Sequence, residues 1–166
     1  YSGSSMGNLP IGQGELVTPM QMMAAYGAIA NGGVLRRPRI VDAMDGRPVP
    51  VSRGRRVISS GTAHEVRQML EGVLAPGGTA SEVKIPGYAL AGKTGTSNKI
   101  DPATGSYSEE KYVASFVGMA PADNPRLLVS VIVDEPQGAI YGGEVAAPAF
   151  GKIASFALPY LRIPPS

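Results

Sequence analysis

Leu90-Ala-Gly-Lys-Thr-Gly-Thr-Ser97 is the stretch that decides how this chain is read. It lies where β-forming residues give way to polar sequence, which predicts a strand over 88–96 ending in a loop. Lys93 offers a fixed positive charge and Thr94 and Thr96 offer hydroxyls. Gly92 and Gly95 let another backbone approach without meeting a Cβ. Taken alone the tripeptide Lys-Thr-Gly has a bland reading, an exposed lysine at a strand end. It also resembles the tail of a phosphate-binding loop. That reading requires a helix to open at once, and Gly95-Thr96-Ser97-Asn98 does not open one.

The rest of the 166 residues narrows the options. With no cysteine, disulfides, thiolate zinc sites and thiol nucleophiles are excluded. His64, the single histidine, leaves no multi-histidine metal cluster, and no cofactor or metal is expected. At 43% hydrophobic and 17% charged the composition is globular. No apolar run approaches the roughly 20 residues of a membrane helix, and no signal peptide opens the chain. A net charge of +2 gives no reason to expect nucleic acid.

Working outward, Thr18-Pro19 reads as a helix start and Asn31-Gly32-Gly33 as its stop, giving a helix over 19–31 with Met22, Met23, Tyr26 and Ile29 at helical spacing. Asp45-Gly46 between Ile40–Met44 and Val49–Val51 predicts a small hairpin. Ser60 is the expected cap of a helix to about Leu74, with Val66, Met69, Leu70, Val73 and Leu74 on its apolar face. Strands are expected over 112–120 and 126–134, as antiparallel neighbours joined by Pro121–Pro125. The polar run 97–111 reads as a long exposed connection. A closing helix is expected over 144–158. The fold class is therefore α/β of the α+β type, an antiparallel sheet flanked by helices. Residues 1–17 carry no capping pattern and predict a chain that begins inside a larger domain.

Five separated segments then resemble one family in order. They are Ile11-Gly-Gln-Gly-Glu15 with Thr18-Pro-Met-Gln21 and Ala30-Asn-Gly-Gly33; Gly77-Gly-Thr-Ala80 with Ile85-Pro-Gly87; Ala91-Gly-Lys-Thr-Gly-Thr96; Ala114-Ser-Phe-Val-Gly118 with Ala120-Pro121; and Tyr141-Gly-Gly143 with Ala146-Ala-Pro-Ala-Phe150. Across about residues 8–158 the chain resembles the C-terminal part of a class B penicillin-binding protein, a D,D-transpeptidase of peptidoglycan synthesis. The resemblance implies a penicillin-binding protein/serine β-lactamase-like fold, incomplete in this chain, with residues 1–166 the C-terminal portion of the transpeptidase domain. It implies Lys93 and Thr96 as catalytic residues, the lysine as electrostatic support and the Thr96 N–H as an oxyanion donor. Thr94, Gly95 and Thr96 would bind substrate, and Tyr141 and Gly142 would rim the cleft. The implied partners are the peptidoglycan stem peptide, β-lactams and the upstream part of the same domain. The implied location is the extracytoplasmic face of the bacterial membrane, with an anchor upstream of Tyr1.

The family's other two motifs are missing. No Ser-x-Asn occurs, and Ser-x-x-Lys occurs only as Ser81-Glu-Val-Lys84 and Ser108-Glu-Glu-Lys111. Neither opens an apolar helix far upstream of Lys93, so neither is read as the nucleophile. The fragment alone is expected to be inactive. A non-catalytic scaffold piece and a β-lactamase or carboxypeptidase-type hydrolase remain alternatives.

Other features have plainer readings. His64 is expected to face solvent, and the methionines of 20–23 to pack in the core. Seven arginines from Arg36 to Arg56, offset by Asp42 and Asp45, read as a solvated or membrane-proximal face. Asp134 and Glu135 would point to opposite sides of a continuing strand, which argues against paired acid–base work.

Overall fold

The structure is a computed structural model that describes Gly7, Gly12 and residues 15–165. Ile11, Gln13 and Gly14 of the first family-like segment lie outside the described residues. Helix α1 (Pro19–Ala30) begins with a reciprocal capping box. The Thr18 hydroxyl accepts the Gln21 N–H at 3.2 Å, and the Gln21 side chain accepts the Thr18 N–H at 2.8 Å. Thr18→Ala should therefore cost about 1 kcal/mol, read as a lowered denaturation midpoint of the full-length protein.

Gly33 turns the chain out of α1 at φ 91°, and a Cβ there would overlap the Ile58 carbonyl. Its own carbonyl accepts the N–H groups of Val57 and Ile58, which closes the base of a lobe. The lobe holds strands β1 (Val34–Leu35) and β4 (Arg55–Arg56), paired antiparallel, and the hairpin β2 (Ala43–Met44) with β3 (Arg47–Pro48). Asp45 and Gly46 supply the two left-handed residues of its turn, φ 50° and 75°. The expected hairpin is thus present, but its ladder is two residues long on each side, shorter than the apolar runs.

Helix α2 (Ser60–Glu71) is capped by Ser59, not Ser60: the Ser59 hydroxyl accepts the Thr62 N–H at 2.9 Å. It also ends sooner than Leu74, although Leu74 is buried from the following turn. Val66 and Leu70 pack inward, whereas Met69 is 73% exposed, so the apolar face is narrower than expected.

Three antiparallel strands make the sheet, in the order β5 (Ala91–Ile100), β6 (Tyr107–Ala120) and β7 (Leu127–Asp134). The expected strand 88–96 starts later and ends later, and the expected connection 97–111 is mostly strand. The late end and the missed strand have one cause. Beyond the end of β7 the strands β5 and β6 run on as a two-stranded ribbon wetted on both faces. Polar residues there leave no hydropathy pattern, while the pairing continues across a register shift after Asn98 to Ile100 opposite Tyr107. Among the described residues neither β5 nor β7 has a second neighbouring strand.

The two sheet faces are packed differently. Phe116 on β6 lies on one face and meets Phe150 of helix α4 (Ala147–Tyr160), ring centroids 5.0 Å apart. Leu74, Val83, Leu90, Ala154 and Leu158 complete that cluster. Ala91 and Met119 lie on the other face against Tyr26 and Ile29 of α1 and Val66 and Leu70 of α2. The expected closing helix 144–158 is two pieces: a single turn α3 (Gly142–Val145) precedes α4, with Pro148 in the first turn of α4. Ile132, Ile153, Phe156 and Tyr160 remain exposed. The mixed helix and antiparallel-sheet class is the expected one.

Candidate active site

Side chains alternate along β5, so Lys93 and Gly95 share the α1/α2 face while Thr94 and Thr96 share the α4 face. Lys93 is exposed, and its Nζ donates to the Thr94 carbonyl at 2.8 Å. That carbonyl therefore points away from β6. In an antiparallel strand the N–H and C=O of one residue point the same way, and the direction alternates. The backbone groups of Thr94 and Thr96 consequently both face the open edge of β5, with the lysine beside them.

The threonine hydroxyls are held from behind. Thr94 Oγ1 shares a hydrogen bond with Thr79 Oγ1 at 2.9 Å, and Thr96 Oγ1 accepts the Gly142 N–H at 3.1 Å. Their backbones, more than their hydroxyls, thus face the edge. Glycines make these approaches possible. A Cβ at Gly95 would lie 2.5 Å from Ser115 Oγ, its cross-strand partner's hydroxyl. A Cβ at Gly142 would overlap the Ser115 carbonyl and lie 2.5 Å from the Gly95 carbonyl. At Gly143 it would overlap the Thr79 carbonyl. Gly142 is buried between α3 and the sheet, while its neighbour Tyr141 is 60% exposed.

Thr79 and Ser115 are the residues that sequence reasoning did not assign. Both lay inside segments singled out for their resemblance, but only the cross-chain contacts give them work. Gly87-Tyr-Ala-Leu-Ala-Gly-Lys-Thr94 does have the spacing of a phosphate-binding loop, yet Ala91–Ile100 continues as strand where that motif needs a helix.

The remaining candidates are placed as follows. Ser108 Oγ accepts the backbone N–H groups of Glu110 and Lys111, and Ser81 sits in a turn; neither starts a helix. His64 is exposed, 3.5 Å from an Arg67 guanidinium nitrogen. Asp134 and Glu135 do not diverge as expected. The strand ends at Asp134, Glu135 turns at φ 48°, and both carboxylates bind Lys99 Nζ at 2.8–3.1 Å. Those hydrogen bonds, from Glu135 first and then Asp134, raise the Lys99 pKa above its ordinary value. The acids are thus an ion-pair clamp across β6, and not a proton-transfer pair.

The chain resembles known proteins over nearly its whole length. Residues 2–155 match the family model of the penicillin binding protein transpeptidase domain. Penicillin-binding protein PbpB of Mycolicibacterium smegmatis is 43% identical over 99% of this chain and 27% of its own length. Peptidoglycan D,D-transpeptidase FtsI of Escherichia coli is 38% identical, again over 99% and 27%. The crystal structure of penicillin binding protein 3 from Mycobacterium tuberculosis complexed with aztreonam superimposes with a TM-score of 0.88 at 40% identity, covering all of this chain and 40% of that one. The chain spans about a quarter of the length of the curated relatives it matches.

Proposed function

We propose, from the fact that this chain belongs to the penicillin-binding protein transpeptidase family, that it is the C-terminal portion of a peptidoglycan D,D-transpeptidase domain and lends the domain one wall of its acyl-transfer site. The observation that carries this reading is the open edge of β5. Two backbone N–H and C=O pairs, from Thr94 and Thr96, face outward beside the Lys93 ammonium, on a strand thinned by Gly92 and Gly95. An extended peptide can add to such an edge as a further strand.

The chemistry is acyl transfer through a serine supplied by residues outside this chain. The serine oxygen attacks the carbonyl carbon between two D-alanines of a stem peptide. The C–N bond breaks, the terminal D-alanine leaves with a proton, and a serine ester remains. An amine of a second stem peptide attacks that ester, forms the new amide and returns the serine. A β-lactam takes the donor's place and stays on the serine. In this scheme the Thr96 N–H donates to the oxyanion, in a site where a fixed donor needs no reorganisation. Lys93 supplies positive charge to the substrate carboxylate and to the Ser-x-Asn serine, and Gly95 permits the close approach. Thr94 and Thr96 bind the carboxylate side of the substrate, and the exposed Tyr141 lies beside the cleft, with Gly142 beneath it.

The strands that would flank β7 and the nucleophile's helix come, in this reading, from upstream residues. Among the described residues no helix is long and apolar enough to cross a membrane. The proposed location, the extracytoplasmic face of the membrane, rests on where peptidoglycan is cross-linked, with an anchor upstream.

Labelling of the full-length protein with a fluorescent penicillin, followed by peptide mapping, tests the proposal. The expected adduct is on one serine outside residues 1–166. An unlabelled protein would favour the scaffold reading, and an adduct on Ser81 or Ser108 would overturn the division of labour argued above.

A further inference from the structure

The lobe between α1 and α2 has no part in the chemistry above, and its charge is unusual. Residues 34–57 carry seven arginines, no lysine and two aspartates, a net +5 in a chain whose total is only +2. The rest of the chain is therefore net negative, and the positive field is concentrated on one lobe.

Three of the arginines work within the lobe. Arg36 donates to the Ser52 carbonyl at 2.7 Å, Arg39 to the Val49 carbonyl at 2.9 Å and Arg56 to the Gly32 carbonyl at 2.9 Å. Arg39 also neutralises Asp42, at 2.9 Å. Arg37, Arg47, Arg53 and Arg55 are exposed, and their guanidinium groups have no hydrogen-bond or ion-pair partner among the described residues. Arginine presents a planar fork of donors suited to carboxylates and phosphates, which a structural role at these exposed positions does not require.

Beside one of these arginines, Arg37, lies a concave feature. A cleft of about 260 Å³ runs between Met20, Met23 and Gly27 of α1 and the Arg36-Arg37-Pro38 stretch. Its floor is apolar and its rim cationic. It falls just below the usual range for small-molecule pockets, about 300–1,000 Å³, and suits the end of a short peptide with small side chains and a free carboxylate. A convex lipid surface would leave the cleft unfilled.

We infer that this arginine lobe is a second holding surface for the peptidoglycan strand itself, gripping stem-peptide carboxylates away from β5. The inference rests on the transpeptidase reading for its choice of polymer. The lobe tethers the polymer electrostatically, and the Lys93–Thr96 edge processes one peptide at a time.

The test is co-sedimentation of the full-length protein with purified peptidoglycan sacculi, with fluorescent-penicillin labelling measured in parallel. The combined variant Arg37→Glu, Arg53→Glu, Arg55→Glu should lose at least about tenfold in sacculus binding and label at the wild-type rate. Wild-type binding should weaken with rising salt and on sacculi whose carboxylates have been amidated. Unchanged binding by the variant, or equal wild-type binding to amidated sacculi, would overturn the inference. So would loss of binding to phosphatidylglycerol vesicles in place of sacculi, which would make the lobe a membrane contact. If the variant fails to fold, its labelling fails too, and the amidated sacculi still decide the matter with wild-type protein. A wild-type protein that binds sacculi but takes no penicillin would sink the transpeptidase reading and leave the lobe's anion binding standing.

Discussion

Lys93→Ala in the full-length protein should lower the rate of acylation by a fluorescent penicillin by about tenfold or more, the scale of losing one charged transition-state contact. The argument is positional. Lys93 is the charged side chain at the open edge of β5, on the face toward α1 and α2, and among the described residues its Nζ is bonded only to a backbone carbonyl of its own strand. No carboxylate among the described residues neutralises it. The control is Lys99→Ala. Lys99 lies on the same face of the same strand but is spent on Asp134 and Glu135, so its loss should leave acylation nearly unchanged. A Lys93 variant that acylates at the wild-type rate would remove this residue from the mechanism.

Gly142→Ala should damage both stability and the site. One added methyl would collide with the Ser115 and Gly95 carbonyl oxygens, which are backbone atoms of two paired strands and cannot swing aside. Helix α3 would have to lift, and the Gly142 N–H would leave Thr96 Oγ1. The expected result is a stability loss of about 1–3 kcal/mol from overpacking, with acylation slowed beyond what the unfolded fraction accounts for. Glu144→Ala, on the exposed side of the same turn, should do neither. Denaturation midpoints and single-turnover labelling measured on both variants separate the two effects. Wild-type acylation by Gly142→Ala would mean that the strand edge does not depend on α3.

The sequence was most informative where local chemistry decides local structure. The capping box at Thr18, the Asp45-Gly46 turn and the strand carrying Lys93 all rest on residues within a few positions of each other, and all are found. The missed features depend on contacts across the chain. The ribbon formed by residues 97–100 and 107–111 is held by a ladder that shifts register after Asn98 and by the Asn98 amide on the Ser108 carbonyl, so its polar residues read as loop. Ser59 beat Ser60 to the cap because the hydroxyl that reaches the Thr62 N–H is settled by backbone direction, and serine stands at both positions. Thr79 could not be assigned a role without knowing that it returns to within hydrogen-bond distance of Thr94, fifteen residues on. Asp134 and Glu135 converge because of a left-handed residue that composition does not announce.

The free edge of β7 has a practical side. Leu127-Leu-Val-Ser-Val-Ile-Val-Asp134 holds one charge, at its end, and neither proline nor lysine within it. Such an edge is a template for pairing with another copy. A preparation of these 166 residues by themselves therefore carries its own route to insoluble, strand-to-strand stacking. The same eight residues become harmless only when another strand takes the place beside them.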